Sequence, residues 1–111
     1  MTGPLVSVLL PVYNAEATLP AALESVRRQT FKEWELIVVD DGSKDRTPEL
    51  LAAAAAREPR LKVLSEAHVG LVEALRTASR HASGELLARM DADDVMHPRR
   101  LLLQVTRMDS P

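Results

Sequence analysis

Leu36-Ile37-Val38-Val39-Asp40-Asp41-Gly42-Ser43 is the stretch that decides the fold of this chain. A run of apolar, mostly β-branched residues stops abruptly at two carboxylates and a turn-forming glycine. Consecutive apolar positions without alternation suit a strand covered on both faces, as in a parallel sheet. The same pattern recurs on either side. Val6 to Leu10 is an apolar run stopped by Pro11, Leu61 to Leu64 is a shorter one, and Glu85 to Met90 ends at Asp91.

Helical periodicity lies between these runs. Leu19, Leu23 and Val26 recur at helical spacing between Ala15 and Gln29, and Pro20 fits a first turn, which favours Thr18 over Asn14 as N-cap. Glu49 to Arg57 is alanine-rich, with Thr47-Pro48 reading as an N-cap and the first helical residue. Leu71 to His81 is a third helix, closed by Gly84, and Arg99 to Met108 is a fourth, opened by Pro98. Strand and helix alternate throughout. That order predicts an α/β fold: a parallel sheet of about four strands with helices on both faces.

A chain of 111 residues makes one domain, 1–111, and not two. The charge balance of 14 − 16 = −2 lacks the basic excess of a nucleic-acid binder, so no nucleic-acid partner is expected. The absence of cysteine excludes disulfides, thiolate metal sites and cysteine nucleophiles. No apolar run reaches the roughly 18 residues of a transmembrane helix. A cytoplasmic location is the resulting expectation.

In open parallel sheets, ligands bind beyond the carboxyl ends of the strands. Three such ends are unusual here: Pro11-Val12-Tyr13-Asn14-Ala15-Glu16, Asp40-Asp41-Gly42-Ser43-Lys44-Asp45 and Asp91-Ala92-Asp93-Asp94. Two of them hold six of the sixteen acidic residues, so parallel strands would converge these carboxylates on one rim. Converging carboxylates repel unless they share a proton or a hard divalent cation. An Asp-X-Asp pair on a turn can present two carboxylates to Mg²⁺ or Mn²⁺, and such an ion neutralises a diphosphate leaving group. Other carboxylates can accept from a base imide N–H or a ribose hydroxyl.

Taken in order, P-V-Y-N-A-E, D-D-G-S-x-D and G-E-L-L-A-R-M-D-A-D-D-x-x-x-P-x-R-L resemble a family 2 glycosyltransferase over about Val6 to Gln104. The resemblance implies a partial GT-A fold with a Rossmann-like sheet, and an inverting hexosyl transfer from a nucleotide-diphosphate sugar. It implies that Pro11, Tyr13 and Glu16 line the base and ribose pocket. Asp41 matches the residue that accepts from the base, with Asp40 beside it. Asp91 is placed towards ribose or metal, Asp93 as the ligand of Mg²⁺ or Mn²⁺, and Asp94 where it shapes the site or reaches the sugar. Arg76 stands where many relatives have asparagine, and it either contacts a phosphate or points into solvent.

Family members run well beyond the Asp-X-Asp motif, and their acceptor half and general base lie there. The catalytic base is therefore expected beyond residue 111. The chain reads as the donor- and metal-binding part of a longer enzyme, inactive by itself. The acceptor is expected to be a polysaccharide, as in bacterial polysaccharide biosynthesis, or a lipid-linked glycan or a protein. Membrane association is left open for the full-length protein.

Blander readings stand beside these. Asp41-Gly42-Ser43 also makes a good turn, Asp94 and Glu16 suit first helical turns, and Tyr13 can be packing. His68, His81 and His97 show no ligand spacing. Arg99-Arg100 reads as a solvated face before a phosphate clamp, and Arg89 as the partner of a nearby acid. A sugar nucleotidyltransferase has a similar sheet but wants a glycine-rich loop after the first strand, which Pro11-Val12-Tyr13-Asn14 is not. A receiver domain wants an isolated acceptor aspartate, which Leu64-Ser65-Glu66 does not supply. A catalytically silent half-domain that forms homo-oligomers through an exposed strand edge at Glu85–Met90, or through its last helix, is the non-enzyme alternative.

Overall fold

The computed structural model describes residues 3–108. The apolar runs are strands: β1 (Val6–Val12), β2 (Trp34–Asp40), β3 (Leu61–Ser65) and β4 (Leu86–Arg89). Each is followed by a helix: α1 (Leu19–Arg27), α2 (Thr47–Arg57), α3 (Leu71–Arg80) and α4 (Arg100–Met108). All pairings are parallel, in the order β3-β2-β1-β4. Every residue of β1 and β2 is buried, which is why their sequences run apolar instead of alternating.

The sheet has helices on both faces, as the alternation predicts. Val6, Val8, Leu10 and Val12 of β1 and Leu36 and Val38 of β2 pack with Leu19, Ala22 and Val26 of α1, Leu51 of α2 and Leu101 of α4. On the other face Leu9, Ile37 and Val39 pack with Ala74 and Ala78 of α3. The winding runs outward from β1 to β3, then crosses back to β4 on the far side of β1. The strand order reverses at β1, so the topological switch point lies between β1 and β4, and all four carboxyl ends share one rim. No helix among the described residues is long and apolar enough to cross a membrane.

Several local expectations are corrected. Pro11 does not stop β1; it pairs in register with Val39. The carbonyls of Leu5 and Leu9 accept the Leu86 and Met90 N–H groups on the β4 side, so by alternation the Pro11 nitrogen points to that side, past the pairing with β4 that ends at Leu9. No ladder donor is missed there, and that is how a central strand tolerates proline. Thr47 is not the cap of α2 but its first residue. Its hydroxyl accepts the Ala15 N–H at 2.9 Å, while Asp45 Oδ1 accepts the Thr47 N–H at 2.8 Å. Thr18 occupies the N-cap position of α1 without a side-chain capping bond. α1 is shorter than Ala15–Gln29, because the chain before Leu19 is tied to the start of α2.

Gly84 does not close α3, whose C-cap is His81. It lies instead against β1: its N–H donates to Ser7 Oγ at 2.8 Å, and an added Cβ would meet that oxygen at 2.7 Å and the Ser7 nitrogen at 2.8 Å.

Candidate functional site

The end of β2 builds the first half of the site. Asp40 is buried, and its Oδ1 accepts the Ser43 N–H at 3.1 Å, which closes the turn. Asp40 therefore serves the turn and not the open rim. Asp41 is held by a main-chain bond from its N–H to the Val12 carbonyl at 2.9 Å, which locks it beside β1. Its side chain is 5% exposed. Oδ1 accepts the Val69 N–H at 2.8 Å and Oδ2 the Gly70 N–H at 2.9 Å, and Oδ2 also lies 2.9 Å from His68 Nδ1. Burial alone raises the Asp41 carboxyl, but the two amides and His68 outweigh it and hold it below the ordinary carboxylate value.

Around Asp41 lies a cleft of about 240 Å³, lined by Pro11, Tyr13, His68 and Leu71 among others. The Tyr13 ring stacks on the His68 imidazole, with centroids 4.2 Å apart and planes 25° apart. A larger cavity, about 560 Å³, opens between α1 and α2 around Leu23, Leu50 and Ala54. It is away from the carboxyl rim, so the smaller cleft is the candidate site.

The loop after β1 is fastened to the loop after β2. Asn14 adopts a left-handed φ of 48°, donates its N–H to Ser43 Oγ at 2.8 Å, and accepts the Lys44 N–H on Oδ1 at 2.8 Å. The Glu16 N–H donates to Asp45 Oδ2 at 3.2 Å. Thr47's side chain, then burial acting the other way, then the Thr47 and Glu16 amides set the Asp45 carboxyl, which ends below its ordinary value. Glu16 itself is exposed and is not among the residues lining the cleft.

The end of β4 builds the second half. Asp91, Asp93 and Asp94 are exposed, and one carboxylate oxygen from each lies within 4.8 Å of the others. The turn explains the grouping: Asp94 donates its N–H to the Asp91 carbonyl at 3.0 Å, and Asp94 Oδ2 accepts the Asp91 N–H at 3.0 Å. Arg89 is the partner of a nearby acid, with its guanidinium 3.5 Å from Asp91 Oδ1. An all-carboxylate set with exposed oxygens fits a hard divalent cation that keeps water and phosphate oxygens among its ligands.

Behind this turn sits an anchor that sequence reasoning missed. Gln29 is fully buried; its Nε2 donates to the His97 carbonyl at 2.7 Å and its Oε1 accepts the Leu101 N–H at 3.0 Å. Ser25 Oγ accepts the Met96 N–H at 2.9 Å. α1 thus fixes the chain that leaves the acidic turn. His68 and the Val69 and Gly70 amides were also missed. The one signal for them was a glycine just before α3, with φ of 102°. Arg76 does not line the cleft and forms an exposed pair with Glu73 at 3.3 Å, and Arg100 donates to the Arg89 carbonyl at 3.0 Å.

A doubly wound sheet with an acidic rim at its switch point is the architecture of GT-A glycosyltransferases, and the structural neighbours are of that class. The chain belongs to glycosyl transferase family 2, whose family model matches residues 7–111. It is 39% identical over 110 residues to the putative glycosyltransferase EpsE of Bacillus subtilis, covering 97% of this chain and 40% of that relative. S. aureus TarS 1-349, solved in complex with UDP, superposes with a TM-score of 0.86 at 30% identity, over 94% of this chain and 32% of that one. The mannosyltransferase PcManGT from Pyrobaculum calidifontis, solved with GDP-Man and Mn²⁺, superposes with a TM-score of 0.86 at 32% identity, over 100% of this chain and 34% of that one.

Proposed function

We propose that this chain is the donor-binding portion of an inverting glycosyltransferase that uses a nucleotide-diphosphate sugar. The observation that carries the reading is the pair of acidic strand ends on either side of β1, one buried and fixed at Asp41, one exposed and clustered at Asp91, Asp93 and Asp94. In this reading Asp41 accepts from the base, with Pro11 and Tyr13 as walls of its cleft. Asp91 and Asp93, with Asp94 beside them, hold Mg²⁺ or Mn²⁺. A bound cation supplies charge that neutralises the departing diphosphate. Asp91 also faces the ribose in this reading, and Arg89, 3.5 Å from its Oδ1, orients the carboxylate.

The chain spans 40% of EpsE, and we place the acceptor site and the general base outside these residues. The 111 residues alone then bind donor without transferring sugar. The acceptor class is a polysaccharide, lipid-linked glycan or protein, and the setting is cytoplasmic or at a membrane surface.

Calorimetric titration with UDP and Mn²⁺ tests the reading. The wild type is expected to bind UDP in a metal-dependent way, and Asp93→Ala to lose at least roughly tenfold in metal-dependent affinity, as one charged ligand is removed. Nucleotide binding that ignores both Mn²⁺ and Asp93→Ala would sink the metal assignment. A second reading, self-association, is favoured by one observation: β4 is an edge strand with Leu87 55% exposed.

A further inference from the structure

Among the described residues, the hydrogen bonds of the acidic turn run between Asp91 and Asp94, and its ion pair is with Arg89 on the adjoining strand. Three like charges within 4.8 Å of one another repel, so their grouping is imposed by the chain on either side. On the entry side Met90 is buried and its N–H donates to the Leu9 carbonyl at 3.0 Å, which sets the turn against β1. On the exit side residues 94–97 form neither helix nor strand, so their buried main-chain groups need partners from elsewhere. The last turn of α1 and the residues just past its cap supply them. Ser25 Oγ accepts the Met96 N–H at 2.9 Å, Gln29 Nε2 donates to the His97 carbonyl at 2.7 Å, and the Thr30 N–H donates to the Pro98 carbonyl at 2.9 Å. Gln29 Oε1 then accepts the Leu101 N–H at 3.0 Å. The clasp is itself fixed: Gln29 Nε2 also donates to the Ser25 carbonyl at 3.2 Å, and the Ser25 hydroxyl to the Ala22 carbonyl at 2.7 Å. Gln29 is 0% exposed and Ser25 6%, so water cannot stand in for a partner removed here.

We infer that Gln29, supported by Ser25, is a positioning residue for cation binding at the acidic turn. It acts from behind the turn, through the main chain of residues 96–101, and holds Asp91, Asp93 and Asp94 together before a cation arrives. The inference rests on the reading of these aspartates as ligands of Mg²⁺ or Mn²⁺ and deepens it. Gln29 does not touch the cation, because its amide is buried and both ends of it are taken up by Ser25, His97 and Leu101. The residue type follows from what it meets. One neighbour is a carbonyl and the other an N–H, and an uncharged amide answers both, as a donor on Nε2 and an acceptor on Oε1. Methionine has similar length and answers neither. With the clasp broken, the exit from the turn loses its buried anchor and the three carboxylates are free to move apart under their own repulsion. A cation would then have to collect them, and its affinity falls by that amount.

The test is a titration of the ¹⁵N-labelled chain with Mn²⁺ to millimolar concentrations, reading the paramagnetic broadening of the amides of residues 91–94, with the melting temperature of each variant measured beside it. In the wild type these amides are expected to broaden before the rest. Gln29→Met is expected to weaken Mn²⁺ binding on the order of tenfold, the usual cost of removing a group that orients metal ligands. Ser25→Ala removes one bond of the clasp and is expected to cost roughly threefold; it carries the test if Gln29→Met does not fold. Leu23→Ala separates positioning from general loosening of α1. Leu23 packs on the same core but takes no part in the clasp, so its truncation is expected to lower the melting temperature and leave Mn²⁺ affinity unchanged. Wild-type Mn²⁺ affinity in folded Ser25→Ala and Gln29→Met overturns the inference and leaves the metal reading standing. So does a loss in Leu23→Ala equal to theirs at the same fall in melting temperature. Amides of residues 91–94 that ignore millimolar Mn²⁺ in the wild type overturn the metal reading itself, and the inference with it.

Discussion

Two glycines separate the site from the scaffold at the scale of single residues. Gly42 has φ of 81°, where a side chain costs about 1–2 kcal/mol, and its missing Cβ leaves room for His68. Gly42→Ala is expected to lower the melting temperature and, by pushing the 68–70 loop off Asp41, to weaken UDP binding. Gly84 makes an equally close approach at the opposite end of β1, against Ser7. Gly84→Ala is expected to lower the melting temperature and leave UDP affinity unchanged. Equal effects of the two variants on UDP affinity would show that the loop is not held by the turn. The aspartates at these strand ends were legible because each follows an apolar run at once, so the end of a strand marks its position. His68 was not legible. A lone loop histidine gains meaning only from contacts with residues far away in the chain, Tyr13 and Asp41, and no local period records them.

Among elements, the N-terminal ends of the strands carry a polar cluster with a different task. Glu35 of β2 is 3% exposed, and it accepts from Ser7 Oγ on β1, Lys62 Nζ on β3 at 2.9 Å, and the Ser83 N–H before β4 at 2.7 Å. Burial raises its carboxyl, but Lys62, Ser7 and Ser83 together outweigh that and bring it from 4.5 to about 2. Between those values the unfolded chain binds the proton more readily than the folded one. The contribution of Glu35 to stability is therefore complete above about pH 5 and is lost as the pH falls towards 2, and amounts to about 3 kcal/mol. Glu35→Gln is expected to be less stable at neutral pH and to show a flatter decline in acid, measured by urea unfolding across that range. Parallel acid profiles for the two proteins would rule the cluster out as a stability source. The strands themselves were readable from apolar runs. That a carboxylate could sit inside β2 was not, because it depends on three neighbours brought in by pairing.

For the molecule as a whole, the two faces of the sheet are unequally covered, and this carries the last prediction. α1, α2 and α4 share one face, whereas α3 alone packs on β1 and β2 of the other. Alternation in the sequence announced helices on both faces, but not this imbalance, which follows from the return of the chain to β4 on the far side of β1. Leu87 pairs in register with Ser7 and so lies on the α3 face, where it remains 55% exposed. The outer edge of β4 has no strand partner among the described residues. Unpaired main-chain groups beside an exposed leucine invite a second chain. The average mass by light scattering is expected to rise above that of one chain with increasing concentration, and Leu87→Lys, which sets a charge on that face, to hold it at one chain. UDP affinity should be unaffected, because Leu87 is remote from Asp41 and precedes the acidic turn by several residues. A wild type that stays at the mass of one chain at high concentration would mean that β4 is protected without a partner.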